Sequence, residues 1–246
     1  MSRILAGVHP VREALRARHA LDKILVVKGS AGPRIQEIID LARDGGVPVR
    51  FETRDSLDRA AKGATHQGVL GFAAARAYVD IDKVIAGSRL LVVLDGVEDP
   101  HNLGAIVRTS HAAGADAVVV PERRAAPLTE TVDRAAAGAL EYLPVARVVN
   151  IAQTLEKLKE HGFWIYGLDE RGREQYDEVP YHLPTVIVLG GEGKGLHQNV
   201  QKHCDVLVRI PMAGAVSSLN VSVAAGIVLF EWRKRAGKSV SDKLGR

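Results

Sequence analysis

The sequence predicts an α/β fold, a mostly parallel sheet covered by helices on both faces, preceded by a smaller α/β unit. Three observations carry this expectation. The runs at Leu90–Leu94 (LLVVL) and Ala117–Val120 (AVVV) are continuously apolar rather than alternating. That is the pattern of strands buried on both faces. Strand-like and helix-like segments alternate from residue 90 to the C-terminal region, as expected of parallel strands joined by helical crossovers. The chain has 246 residues, 46% of them hydrophobic, enough to build one large core or two modest ones.

Taken in order, the helix-like stretch VREALRARHA (11–20) precedes a short strand at Ile24–Lys28. Pro33 opens a helical pattern running to Arg43, with Ile35, Ile38, Ile39 and Leu41 as its apolar residues, and Gly45 and Gly46 stop it. A strand at Val47–Glu52, a short helix at Asp55–Lys62 and a strand at Gln67–Phe72 complete a unit spanning residues 1–75. Residues 76–88 show no strong period and are expected to link it to a second unit, residues 89–246. There the expected order begins with the strand at 90–94, a helix Asn102–Ala113 closed by Gly114, and the strand at 117–120. Helix 129–139, strand 143–148, helix 151–160 and strand 163–168 follow, then strands 185–189 and 206–210 and a long helix from about 218 to 235.

Composition narrows the function. No apolar run reaches the ~18 residues needed to cross a bilayer, and the N-terminus MSRILAGVHP does not read as a signal peptide. With one cysteine, Cys204, no internal disulfide forms, and the expected location is the cytoplasm. The nine histidines and Cys204 show no metal-ligand spacing, so no metal site is expected. Aromatic residues make up only 4%, which argues against a base-stacking platform. The formal charge is +4, and it lies entirely in residues 1–75, where 12 Lys and Arg face 8 Asp and Glu. A local basic excess suits a polyanionic partner, although ordinary solvated surface also accounts for one this small. Arg12, Arg16 and Arg18 are the candidate contacts.

Ligands of parallel α/β sheets bind beyond the C-terminal ends of the strands, and three polar segments fall there. In LDGVEDPHNLGAIVRTSHAAGA (94–115), Asp99 and Pro100 make a turn, Asn102 stands where a helix N-cap belongs, and Arg108 follows within two helical turns. A guanidinium among small and apolar residues needs an anionic or acceptor partner. In IVLGGEGKGL (187–196), four glycines surround Glu192 and Lys194. Glycine lets backbone approach a ligand closely, yet the pattern is neither a Walker A loop nor G-x-G-x-x-G. In RIPMAGAVSSLNVSVAAGIVLFEW (209–232), a strand gives way to a loop of small residues, and Ser217 or Ser218 can cap the following helix with Asn220 in its first turn. Plain capping and turn formation explain individual residues of these segments, not the whole set.

The stretches NLGAIVRT, GGEGKGL and IPMAGAVSSLNVSVA resemble, in order and spacing, the three signature motifs of the SpoU methyltransferases, a branch of the SPOUT superfamily. The N-terminal GVHPVREAL and the HQGV at 66–69 resemble the substrate-binding domain of one subgroup, which methylates a guanosine 2′-oxygen in the peptidyl-transferase region of bacterial 23S rRNA. The resemblance implies a catalytic domain threaded into a trefoil knot, a homodimer, S-adenosylmethionine as methyl donor and RNA as substrate. By position it implies that Gly190, Ile210 and Leu219 line the donor pocket, that Arg108 is the main catalytic residue, and that Asn102, Glu192, Ser218 and Asn220 position it and the ribose. A tRNA or another rRNA site, or a non-catalytic RNA-binding role in ribosome assembly, are the alternatives.

Overall fold

The computed structural model describes residues 3–18, 21–30, 32–61, 63–73, 77–191, 195–215 and 218–244, with side chains as far as Ala236. The chain forms two units, Met1–Ala77 with Leu128–Tyr142, and Tyr78–Pro127 with Leu143–Arg246.

The first unit is built on β1 (Arg3–Ala6), α1 (Val8–Arg16), β2 (Leu21–Val27), α2 (Pro33–Asp44), β3 (Val49–Glu52), α3 (Arg54–Ala61) and β4 (Val69–Ala73). Its four strands lie in the order β1-β4-β2-β3; β4 is antiparallel to β1 and β2, and β2 is parallel to β3. Successive side chains of a strand point to opposite faces, and β2 shows the consequence. Ile24 and Val26 join Val11, Leu15, Ile35 and Ile38 in one core. Leu25 joins Leu57 and Leu70 in another. Two elements differ from the sequence expectation. β1 is too short to show a pattern of its own. Helix α1 begins at Val8 rather than Val11, because Gly7 turns the chain at φ 106 directly before it.

The second unit opens with α4 (Asp82–Ile85), in the stretch expected as linker, then β5 (Leu90–Asp95), α5 (Pro100–Ala113) and β6 (Ala117–Pro121). After α6 (Glu130–Ala136) and a 3-10 turn at Ala139–Glu141, which belong to the first unit, come β7 (Val145–Val148), α7 (Ile151–Glu160), β8 (Trp164–Leu168), β9 (Glu174–Gln175) and β10 (Thr185–Gly190). The chain ends with α8 (Gln198–Gln201), β11 (Val206–Arg209) and α9 (Val221–Leu244). The seven strands run in the order β7-β6-β5-β10-β8-β11-β9, and every pairing is parallel. The expected parallel α/β sheet is therefore what this unit contains. Central strand β5 sits between β6 and β10, and all six of its residues are buried. Each such Val or Leu contributes on the order of 1.5–3 kcal/mol by leaving water. On one face, Leu91, Val93, Val186 and Val188 pack with Ile151, Leu155 and Leu158 of α7.

The segment 128–142 fastens to the rest of the first unit through polar contacts, two of them part-buried. Arg3 donates to Asp133 at 3.1 Å and to Glu141 at 2.9 Å. The Tyr142 hydroxyl donates to Glu13 at 2.7 Å.

Candidate functional site

Parallel pairing places the ends of β5, β8, β10 and β11 side by side, so the loops after Asp95, Leu168, Gly190 and Arg209 share one edge of the sheet. A cleft of about 660 Å³ opens there, lined by Gly190, Ile210, Met212, Ser218, Leu219 and Asn220 among others. That volume lies within the range of small-molecule sites. The glycines are dictated by contact. A Cβ on Gly190 would lie 2.1 Å from the carbonyl carbon of Gly195, and one on Gly191 would lie 2.1 Å from the Gly96 oxygen. Gly191 N–H donates to the Asp95 carbonyl at 2.9 Å, and Gly195 N–H closes the turn on the Gly191 carbonyl at 3.2 Å with φ 61. Backbone thus crosses backbone, leaving main-chain groups as the wall of the cleft.

Of the residues expected to act here, the structure brings Gly190, Ile210, Ser218, Leu219 and Asn220 together at this cleft. Asn220 also donates from Nδ2 to Asn102 Oδ1 at 3.0 Å, joining the first and third segments. Both caps differ from expectation. Asp99, not Asn102, caps α5, accepting from His101 N at 2.9 Å with Pro100 at the first helical position, where proline costs no hydrogen bond. Asn102 is instead buried in the first turn. For α9 the cap is Asn220, whose Oδ1 accepts from Ser222 N at 2.9 Å, rather than a serine. Arg108 lies on the exposed side of α5, lines neither of the clefts described here, and has no hydrogen-bond or ion-pair partner among the described residues. Glu192 and Ser217 lie outside the described residues.

Sequence reasoning missed two groups. At the end of β8, Asp169 is buried and accepts from Arg171 Nε at 2.9 Å and from Gln201 at 2.9 Å, while Arg171 lines the first cleft. Burial pushes the Asp169 carboxyl up, but the hydrogen bonds and charge of Arg171 outweigh it and hold the group below its ordinary range. The second group surrounds an adjoining cleft of about 770 Å³, lined by Asp95, Glu98, Asn102, Arg124 and His197 and sharing Gly191, Gly195 and Val221 with the first. An acid at the end of a buried strand, as in LLVVLD and WIYGLD, was the available signal.

In the first unit, Arg16 pairs with Glu37 at 2.5 Å, and Arg12 pairs with Glu13 at 3.3 Å. Two of the three arginines expected to hold phosphates thus already have acidic partners, while Arg18 is exposed and has none among the described residues. His66 of HQGV is buried, with Nε2 2.8 Å from Asp58 and Nδ1 accepting from Gly68 N at 3.0 Å. Its role there is to shape the turn into β4.

A parallel sheet with a glycine-walled cleft at its C-terminal edge defines an α/β protein built for a nucleotide-like ligand. Residues 89–230 match the SpoU rRNA Methylase family, and residues 4–79 match the family described as RNA 2'-O ribose methyltransferase substrate binding. The chain belongs to the SpoU methylase family and is an RNA methyltransferase of that family. It is 41% identical, over 93% of its length and 94% of the relative's, to a protein of Bacillus subtilis named as a TrmH family tRNA/rRNA methyltransferase. Among solved structures it superposes on the SpoU methyltransferase AviRb from Streptomyces viridochromogenes in complex with AdoMet, with a TM-score of 0.82 at 24% identity, covering 96% of this chain and 91% of that one. It also superposes on an AdoMet-bound rRNA methyltransferase from Sinorhizobium meliloti, with a TM-score of 0.80 at 25% identity, covering 95% and 87%.

Proposed function

We propose that this protein methylates a ribose 2′-hydroxyl of RNA with S-adenosylmethionine as donor, and that the acceptor is a guanosine in the peptidyl-transferase region of 23S rRNA. The observation that carries the reading is the joining of the two clefts. The glycine-walled one suits the donor, and the Asn102–Asn220 pair lies where it meets its neighbour. The donor fits the residues present, because a side chain at Gly190 or Gly191 would close the backbone crossing that shapes the wall. Gly190, Ile210 and Leu219 would hold it. When bound, it supplies a methyl group already activated on sulfonium.

The chain's own task is to hold the ribose hydroxyl in line and stabilise the charge its oxygen gains. Asn102 and Asn220 orient the ribose, with Ser218 beside them and Glu192 assigned by motif position. A guanidinium keeps its proton in proteins, so Arg108 acts by charge, fixing an RNA phosphate and stabilising the developing oxyanion. Arg108 lies off both clefts, on the exposed side of the helix that packs against α9. α9 itself exposes Val223 and Phe230, each 51% accessible. Apolar groups of this size on a helix suit a twofold contact, and we assign the protein to a homodimer in which Arg108 completes its site at the contact. The catalytic unit is further assigned the trefoil thread of its family.

Two measurements test the reading. Mapping 2′-O-methyls on rRNA from cells with and without the gene should reveal one missing guanosine methyl in 23S rRNA; a missing tRNA methyl instead would move the substrate to tRNA. Arg108→Ala should abolish transfer and leave donor binding intact. Retention of more than about a tenth of the rate, a loss near 1.4 kcal/mol, would remove Arg108 from catalysis.

A further inference from the structure

The second cleft contains a relay of three side chains that the roles above do not use. Asp95, at the end of β5, is buried to 6% exposure. One of its carboxylate oxygens accepts from the His197 backbone N–H at 2.8 Å, and the other lies 2.9 Å from His197 Nδ1. His197 Nε2 in turn lies 2.9 Å from an Arg124 guanidinium nitrogen. A guanidinium only donates, so Nε2 must accept. The ring proton is then on Nδ1, directed at Asp95. The chain of donors and acceptors therefore has one consistent direction, from Arg124 through a neutral His197 to Asp95.

The surrounding backbone is adapted to this relay. Gly96 sits at φ 89, where a side chain is strained, and its Cα packs beside the imidazole, a Cβ there lying 3.4 Å from His197 Cε1. The loop carrying Arg124 is tied back by Ala126 N–H to the Val97 carbonyl at 3.0 Å. Arg124 itself sits at φ 59, a left-handed conformation that side-chain-bearing residues adopt at an energetic cost. Its guanidinium is exposed and has no carboxylate partner among the described residues, and among those residues it is the one Lys or Arg lining this cleft. Only one of its five N–H donors is used by His197.

We propose that Arg124 binds a phosphate of the acceptor RNA next to the target ribose, and that His197 and Asp95 are positioning residues that hold it there. The inference rests on the reading of this chain as an RNA 2′-O-methyltransferase. The cleft adjoins the donor cleft through Gly191, Gly195 and Val221 and is also lined by Asn102. A ribose presented to Asn102 carries a phosphate on either side, and Glu98 and Asp99 on the same lining leave Arg124 as the cationic anchor among the described residues.

The test uses the full chain and two unmodified transcripts, one of 23S rRNA and one of tRNA; the one that the wild type methylates serves as probe. Arg124→Gly removes the guanidinium and relieves the left-handed strain, so the variant should melt at the same or a higher temperature. Its KM for the transcript should rise roughly tenfold, as expected when a charged hydrogen bond is lost. The slope of log binding constant against log salt should flatten by about 1. S-adenosylhomocysteine should bind unchanged. His197→Ala should shift KM and slope in the same direction, and His197→Gln, which can still accept from Arg124 and donate to Asp95, should restore them. Wild-type KM and salt slope in Arg124→Gly would overturn the inference, as would weaker binding of S-adenosylhomocysteine, which would assign Arg124 to the donor's carboxylate. A wild type that methylates neither transcript would instead sink the methyltransferase reading, and this inference with it.

Discussion

Gly190→Ala would add one methyl group where three backbone atoms already stand. The new Cβ would lie 2.1 Å from Gly195 C, 2.3 Å from Gly195 O and 2.5 Å from Leu196 N, against 3.4 Å for ordinary contact. None of the three belongs to a side chain that can rotate away. The turn from Gly191 to Gly195 must therefore retreat by more than an ångström, taking with it residues that line both clefts. Overpacking of this kind costs about 1–3 kcal/mol. For a chain of this size each kcal/mol lowers the melting temperature by about 2–4 °C. Displacement of the wall should also weaken S-adenosylhomocysteine binding at least tenfold, since misplacement of about 1 Å is enough to cost two orders of magnitude at a reacting centre. Gly214→Ala is the control: it lies in the neighbouring loop, has no left-handed φ, and among the described residues nothing stands within 4 Å of its Cβ position. It should melt within about 0.5 kcal/mol of wild type. Melting curves and calorimetry of both variants decide the matter, and a Gly190→Ala protein with wild-type stability and affinity would refute the backbone crossing.

Two further outcomes follow from buried polar groups. His66→Ala strips Asp58 and the Gly68 N–H of their partner, which should cost about 1–3 kcal/mol in urea unfolding and leave donor affinity unchanged; a neutral result would show that the HQGV turn does not depend on the imidazole. Asp169 has a folded pKa held below its ordinary 3.8, so its contribution is fully present above that value and is lost as pH falls toward the folded one. Asp169→Asn should therefore flatten stability against pH below about 4, and an acid limb identical to wild type would contradict the Arg171 pairing.

What the sequence made legible follows from the range of the interactions involved. Strands β5, β6 and β10 are covered on both faces, so their burial is written as unbroken apolar runs. Cap positions were misread because DPHN offers two acceptors three residues apart. Pro100 decides between them, since it fits the first helical position and makes Asp99 the residue before it. At the third segment Ser217 or Ser218 is the expected cap, but Asn220 takes that place, and its Nδ2 is held by Asn102, 118 residues away. The Asp95–His197 contact spans 102 residues, and no local pattern encodes it. Family resemblance supplied Arg108, whose exposed side chain carries no structural signal of its own, and it was silent on Asp169, Arg171 and Arg124.

The segment 128–142 shows most clearly how a local pattern can be complete and yet leave its place in the fold undetermined. Its helix is expected over 129–139 and ends at Ala136, where Ala137 at φ 49 and Gly138 at φ 90 turn the chain, and nothing in the local pattern says which sheet the segment packs against. That choice is made by side chains of the first unit. Arg3, with only 10% of its side chain exposed, divides its guanidinium between Asp133 and Glu141. Glu13 accepts from Tyr142, and a Cβ on Gly138, at φ 90, would lie 2.9 Å from the Glu13 side chain. Removing one partner of a buried pair is costly, so the Arg3 contacts act together with the buried Val132, Ala136 and Leu140 to fix the location of this segment. The same contacts explain the fate of the N-terminal charge. Glu13 and Glu37 occupy Arg12 and Arg16, so the basic excess of residues 1–75 is expressed by exposed cations of that unit with no partner among the described residues, such as Lys28, Arg34, Arg50 and Arg54. Helix α1 thus uses Arg12 and Arg16 in contacts within the unit.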